Sequence, residues 1–130
     1  MVIDTSAIIA ILLREPEADE LATFLIHDAK RLLSAFNAFE VAAVISARKG
    51  PSGVREFDLF LHHTAIEIVP LTADHVLLAR QAYLTYGKGR HPASLNLGDC
   101  CSYALSKFSG ESLLFKGMDF LQTDIIAVSS

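Results

Sequence analysis

The sequence predicts one α/β domain, a short parallel β-sheet flanked by helices on both faces. Three observations predict it. Short apolar runs of strand length recur along the chain, segments with helical spacing of apolar residues separate them, and the length is that of a single domain. At 130 residues and 14.1 kDa the chain can bury about two-thirds of the surface its unfolded form exposes, enough for a real core. Alternation of strand and helix implies right-handed crossovers and parallel strands, and ligands of such folds bind beyond the strands' carboxyl ends. No repeat, low-complexity segment or linker divides residues 1–130, which are read as one domain.

The first strand is expected at Val2–Ile3; it ends in Asp4 and runs into the apolar helical stretch 7–13. A helix over 17–27 places Leu21, Phe24 and Leu25 at i, i+3, i+4 spacing, and 54–62 repeats the pattern with Phe57, Phe60 and Leu61. Gly50-Pro51 reads as one helix stopping and the next starting, because Gly suits the position after a helix and Pro suits a first turn. Further strands are expected at 31–33, 66–69, 113–115 and 125–128. Thr72 is a good N-cap for a helix reaching about Tyr86, and the irregular stretch 87–98 leads directly into Asp99.

Composition excludes several function classes. The longest apolar run, 7–13, is far short of the roughly 18 residues of a membrane span. Asp4 stands where a secretion signal carries basic residues, so a cytoplasmic location is expected. Cys100 and Cys101 are neighbours pointing about 100° apart on a helix, which suits buried thiols rather than a disulfide or zinc site. The five histidines show no zinc-type spacing. A net charge of −4 argues against nucleic-acid binding through overall charge, but leaves a local basic cluster, Gly87-Lys-Gly-Arg-His-Pro92, in which Lys88 and Arg90 are candidates to hold a phosphate backbone. Hydrophobic residues make up 52% of the chain, a surplus that suggests a shared apolar surface; Ile11, Leu12, Phe57 and Phe60 are the interface candidates.

Four acids carry the functional signal. Asp4, Asp99 and Asp119, each taken singly, are better explained as helix or turn caps. Glu40 resists that account, because Phe36-Asn-Ala-Phe-Glu-Val-Ala-Ala-Val-Ile45 is apolar on almost every face, and burying an unpaired carboxylate is costly. A solvent-facing Glu40 is the competing explanation. If all four converge, the pocket is self-repelling unless divalent ions occupy it, and oxygen-only ligation favours Mg²⁺ or Mn²⁺.

Taken in order, Val2-Ile-Asp-Thr-Ser6, Glu40, Gly87-Lys-Gly-Arg-His91, Leu95-Asn-Leu-Gly-Asp-Cys100, and Leu113-Leu-Phe-Lys-Gly-Met-Asp-Phe120 followed by Thr123-Asp124 resemble the PIN-domain ribonucleases, in particular the VapC-like toxins of bacterial toxin–antitoxin pairs. The resemblance covers nearly the whole chain. It implies a Mg²⁺- or Mn²⁺-dependent ribonuclease with Asp4, Glu40, Asp99 and Asp119 as catalytic, metal-binding acids. Thr5 or Ser6 would supply a supporting hydroxyl, and Asp124 an outer or alternative ligand. It further implies an RNA substrate, a VapB-like antitoxin and a homodimer. Two positions depart from the pattern: Met118 replaces an Asn or Asp before Asp119, which bears on a second metal ion, and Leu97 replaces an aromatic before Gly98.

Other functions fit less well. A haloacid-dehalogenase-type phosphatase needs a second acid two residues after Asp4, where Ser6 stands, and a phosphoacceptor receiver lacks its paired acids after the first strand. The alternative from another class is a PIN-like module that binds RNA or protein without cutting, and the presence of all four acids argues against it.

Overall fold

The computed structural model describes residues 1–128. Four parallel strands, β1 (Val2–Ile3), β2 (Leu32–Ser34), β3 (Glu67–Val69) and β4 (Leu113–Leu114), form one sheet in the order β3-β2-β1-β4. Val2 is in register with both Leu32 and Leu113. The helices are α1 (Thr5–Leu12), α2 (Ala18–His27), α3 (Ala35–His63), α4 (Ala73–Tyr86) and α5 (Leu97–Ser109), followed after β4 by a 3₁₀ turn, Asp119–Gln122.

Two-residue strands suffice because both faces of the sheet are covered. Successive strand residues point to opposite faces, so Val2, Leu32 and Leu113 pack with Ala82 of α4 and Cys100, Tyr103 and Leu105 of α5. Ile3, Leu33 and Leu114 pack the other way, against Ile8, Leu25, Val41 and Ile45 from α1, α2 and α3. Ile8 is fully buried there, and its truncation to Ala would cost about 2–5 kcal/mol. Helices on both faces and an all-parallel sheet are the architecture expected from the sequence.

The break at Gly50-Pro51 is also found. Gly50 has φ 65° and ψ −159° inside α3, so two helical segments meet there at an angle. A β-carbon at Gly50 would touch nothing within 4 Å, so the requirement is the positive φ, which glycine adopts without strain. Pro51 then opens the second segment, where its missing N–H is no loss.

Two expectations are corrected. Residues 125–128 do not form a fifth strand; pairing is reduced to one bridge, Leu113 with Ala127, held by Leu113 N donating to Ile126 O (2.9 Å) and Val128 N to Leu113 O (3.0 Å). β4 is itself only two residues long and offers its edge little more. Leu12 and Phe57 are core residues, and Ile11 and Phe60 pack partly buried against the same cluster, because α1 and the second segment of α3 need them to cover the sheet. Leu12 and Phe57 are therefore not part of a free interface. The apolar surplus surfaces instead at Phe39, Leu84 and Leu97, which are 72%, 61% and 65% exposed.

Candidate functional site

From β1 the chain steps to β2 and β3 on one side, while β4 joins on the other. The order reverses between β1 and β4, and the crevice outside that point is where open parallel sheets take ligands. Asp4 stands there, directly after Ile3. With φ −81° and ψ 154° it is the N-cap of α1, and its Oδ2 accepts from Ser6 N (3.0 Å) and Ser6 Oγ (2.6 Å). Its Oδ1 accepts from Ser102 Oγ of α5 at 2.5 Å. The residue is 2% exposed, and burial pushes its carboxyl above the ordinary range despite the hydrogen bonds from Ser102 and Ser6 that pull it down. Ser6 Oγ in turn accepts from Lys116 N (3.0 Å), tying the end of β1 to the segment just past β4.

Glu40 is half-buried on α3 rather than turned to solvent. Its Oε1 accepts from Thr5 Oγ1 at 2.6 Å and more distantly from Asn37 Nδ2 at 3.5 Å. Across from it lies Gly98, followed by Asp99 in the first turn of α5. There Asn96 Oδ1 accepts from Asp99 N (2.8 Å) while Asn96 N donates to Asp99 Oδ2 (3.0 Å), a reciprocal capping box that spends one carboxylate oxygen on the helix start. Burial, and next the negative charge of Asp4, push the Asp99 carboxyl up to about 7, with Asp119 and Glu40 adding to the rise and the Asn96 hydrogen bond opposing it. All four acids therefore share one electrostatic neighbourhood. Asp119 opens the 3₁₀ turn after β4 and is exposed.

Among the described residues none of these four carboxylates is in an ion pair. The nearby Lys116 Nζ is engaged by Glu15 (2.6 Å) and Glu17 (3.2 Å). Nor, among the described residues, are three or more His, Cys, Asp or Glu side chains already arranged to hold a metal ion. Three of the acids accept hydrogen bonds from neighbouring groups: Asp4 from Ser6 and Ser102, Glu40 from Thr5, and Asp99 from the Asn96 backbone. The donor set still fits a hard divalent ion. It is all oxygen, it includes an almost wholly buried carboxylate, and among the described residues no ion pair engages it.

The other expected residues divide. Thr5 and Ser6 do place hydroxyls on site carboxylates. Asp124 is committed elsewhere: it accepts from Tyr103 OH (2.7 Å) and Tyr86 OH (3.4 Å) and pairs with Lys107 Nζ (2.7 Å). Against a burial penalty, Lys107 and Tyr103 hold its carboxyl below the ordinary range. Lys88 and Arg90 are exposed in the loop before α5. Two buried residues were missed, Asn37 and Ser102. Asn37 was visible as the polar residue one helical turn before Glu40, whereas nothing in the sequence links Ser102 to Asp4.

The sequence pattern of the PIN domain matches residues 1–126. The chain belongs to the PIN domain family. Ribonuclease VapC30 of Mycobacterium tuberculosis is 53% identical over 129 residues, covering 99% of this chain and 98% of that protein. Among solved structures, the PIN fold here is similar to Mycobacterium tuberculosis VapC20, described as a sarcin-ricin loop cleaving toxin, with a TM-score of 0.80 at 15% identity over 99% of this chain and 98% of the other. It is also similar to a chain of a toxin–antitoxin complex from Klebsiella pneumoniae, with a TM-score of 0.74 at 16% identity over 98% and 95%. In this PIN domain Asp4 lies at the reversal of strand order, and residues of α1, α3 and α5 with the α5 N-cap hold Asp4, Glu40 and Asp99.

Proposed function

We propose that this PIN domain is a metal-dependent endoribonuclease and the toxin of a toxin–antitoxin pair. The observation that carries the reading is the charge of Asp4, Asp119 and Glu40 acting on Asp99 while, among the described residues, none of the four is in an ion pair. Full-length identity of 53% to a protein named as a VapC ribonuclease supports it.

Asp4, Glu40, Asp99 and Asp119 would hold Mg²⁺ or Mn²⁺. When bound, such an ion makes water a usable nucleophile near neutral pH and stabilises charge on the phosphate and leaving oxygen. The chain supplies position. Ser6 and Ser102 fix both oxygens of Asp4, and Thr5 fixes one oxygen of Glu40. Burial, and next the charge of Asp4, push the Asp99 carboxyl up to about 7, and a bound cation would favour its charged form. Lys88 and Arg90 attract the RNA backbone toward a site that net charge alone would repel. Neither a histidine nor a thiol is needed, and burial pushes the Cys100 and Cys101 thiols up to about 12 and about 11, leaving them unreactive.

A VapB-like antitoxin and a second copy of the chain are the partners. The exposed Leu84 and Leu97 flank an apolar groove of about 440 Å³, lined also by Phe36, Val76 and Tyr83, and Leu97 stands two residues before Asp99. An apolar surface of this kind beside a site suits a covering partner. The test is cleavage of a total RNA pool with Mg²⁺ or Mn²⁺ and mapping of the cut ends. Discrete ends that vanish with chelator are expected; RNA left whole with either metal would return the chain to the non-cleaving binding module.

A further inference from the structure

We propose that Asn37 is a positioning residue, a clamp that fixes Glu40 opposite the start of α5 by dictating where the Thr5 hydroxyl points. The inference rests on the metal-nuclease reading above.

Asn37 is fully buried, and its Nδ2 reaches three separate parts of the site. It donates to Thr5 Oγ1 (3.0 Å) and to Gly98 O (3.1 Å), with Glu40 Oε1 at 3.5 Å. The amide orientation follows from these partners, since the reverse would aim Oδ1 at the Gly98 carbonyl and the Glu40 carboxylate, acceptor against acceptor. A threonine hydroxyl has one hydrogen to give. Because Thr5 Oγ1 accepts from Asn37, that hydrogen is turned to Glu40 Oε1, where the 2.6 Å bond lies. Glu40 is thus held by Oε1, and its Oε2 has no hydrogen bond among the described residues. The bond to Gly98 O meanwhile docks the first turn of α5, and so the backbone next to Asp99, onto α3.

Among the described residues Asn37 Oδ1 is buried without a hydrogen-bond partner, a cost that offsets part of what its Nδ2 bonds contribute. A polar group kept in the core at such a cost, with its donors aimed only at site segments, acts on the site. Groups that orient metal-binding carboxylates through one intermediate typically change affinity 10–100-fold when removed.

Mn²⁺ binding by the purified chain without RNA, followed by calorimetry, tests this apart from turnover. Asn37→Leu and Thr5→Val should each weaken Mn²⁺ at least 10-fold, Thr5→Ser should bind as the unmutated protein does, and the double variant should be no weaker than the worse single one. Melting temperature without metal should be unchanged or higher in Asn37→Leu. Unaltered Mn²⁺ binding in both single variants, or losses that multiply in the double variant, would overturn the clamp while leaving the nuclease reading intact. Should Asn37→Leu fail to fold, Thr5→Val against Thr5→Ser decides alone, equal binding being the overturning result. An unmutated chain that neither binds Mn²⁺ nor cuts RNA would overturn the metal-nuclease reading and the clamp together.

Discussion

Gly98 lies so close to Glu40 that a β-carbon at position 98 would run into both carboxylate oxygens. The first turn of α5 and the acid on α3 can approach this closely only because residue 98 has no side chain. The collision would be with the far end of a flexible side chain, so the protein can absorb it by swinging Glu40 away from Thr5.

Gly98→Ala should therefore separate function from stability. Helix propensity favours Ala by up to about 1 kcal/mol, which offsets the crowding, so the melting temperature should hardly move. RNA cleavage should fall at least 10-fold, because Glu40 leaves its place. Glu40→Gln should likewise abolish cleavage with metal-free stability unchanged or slightly raised. Full activity in both, or a large loss of stability with activity kept, would make Glu40 a structural residue.

Asp4→Asn and Asp99→Asn should each lower turnover more than 100-fold. Mg²⁺ or Mn²⁺ should raise the melting temperature of the unmutated protein by mass action, and raise it less in either variant. Equal shifts in all three proteins would remove the metal site.

Asp99 and Asp28 contribute to the pH dependence of metal-free stability with opposite signs. Asp99 binds its proton more tightly folded, at about 7, than unfolded, near 3.8, so its contribution to stability falls as pH rises from about 4 through 7. Asp28 is the reverse: the Met1 ammonium, bonded to it at 2.7 Å, holds its carboxyl below the ordinary range, so its contribution is present above about 4 and lost as pH falls through the folded value. Urea unfolding in chelator should show Asp99→Asn flattening the neutral-side decline and Asp28→Asn reducing the acid-side loss. Parallel pH curves for the unmutated protein and Asp99→Asn would mean that neither burial nor the neighbouring acids raise the Asp99 carboxyl.

Replacing both Lys88 and Arg90 with Ala should weaken RNA binding and reduce the slope of log K against log salt by about 1.4, the value for two phosphate contacts on a single strand. An unaltered slope would assign both to a solvated loop.

The sequence by itself determined what depends on near neighbours. The alternation that sends Val2 and Ile3 to opposite faces, the helix break at Gly50-Pro51 and the strand end at Asp4 are set by backbone chemistry within a few residues, and they appear where expected. The family resemblance named the four acids as metal ligands, a role that remains a proposal. Only the tertiary structure decided how the acids are held. Thr5 meets Glu40 across 35 residues of chain, Asn37 meets Gly98 across 61, and Asp4 meets Ser102 across 98, contacts that exist only once the sheet has closed. The same distance in sequence explains the corrections. Whether Leu12 and Phe57 face a partner or the core, and whether 125–128 finds enough of β4 to pair with, depends on which surfaces remain uncovered after α1, α2 and α3 have packed, and no local pattern encodes that.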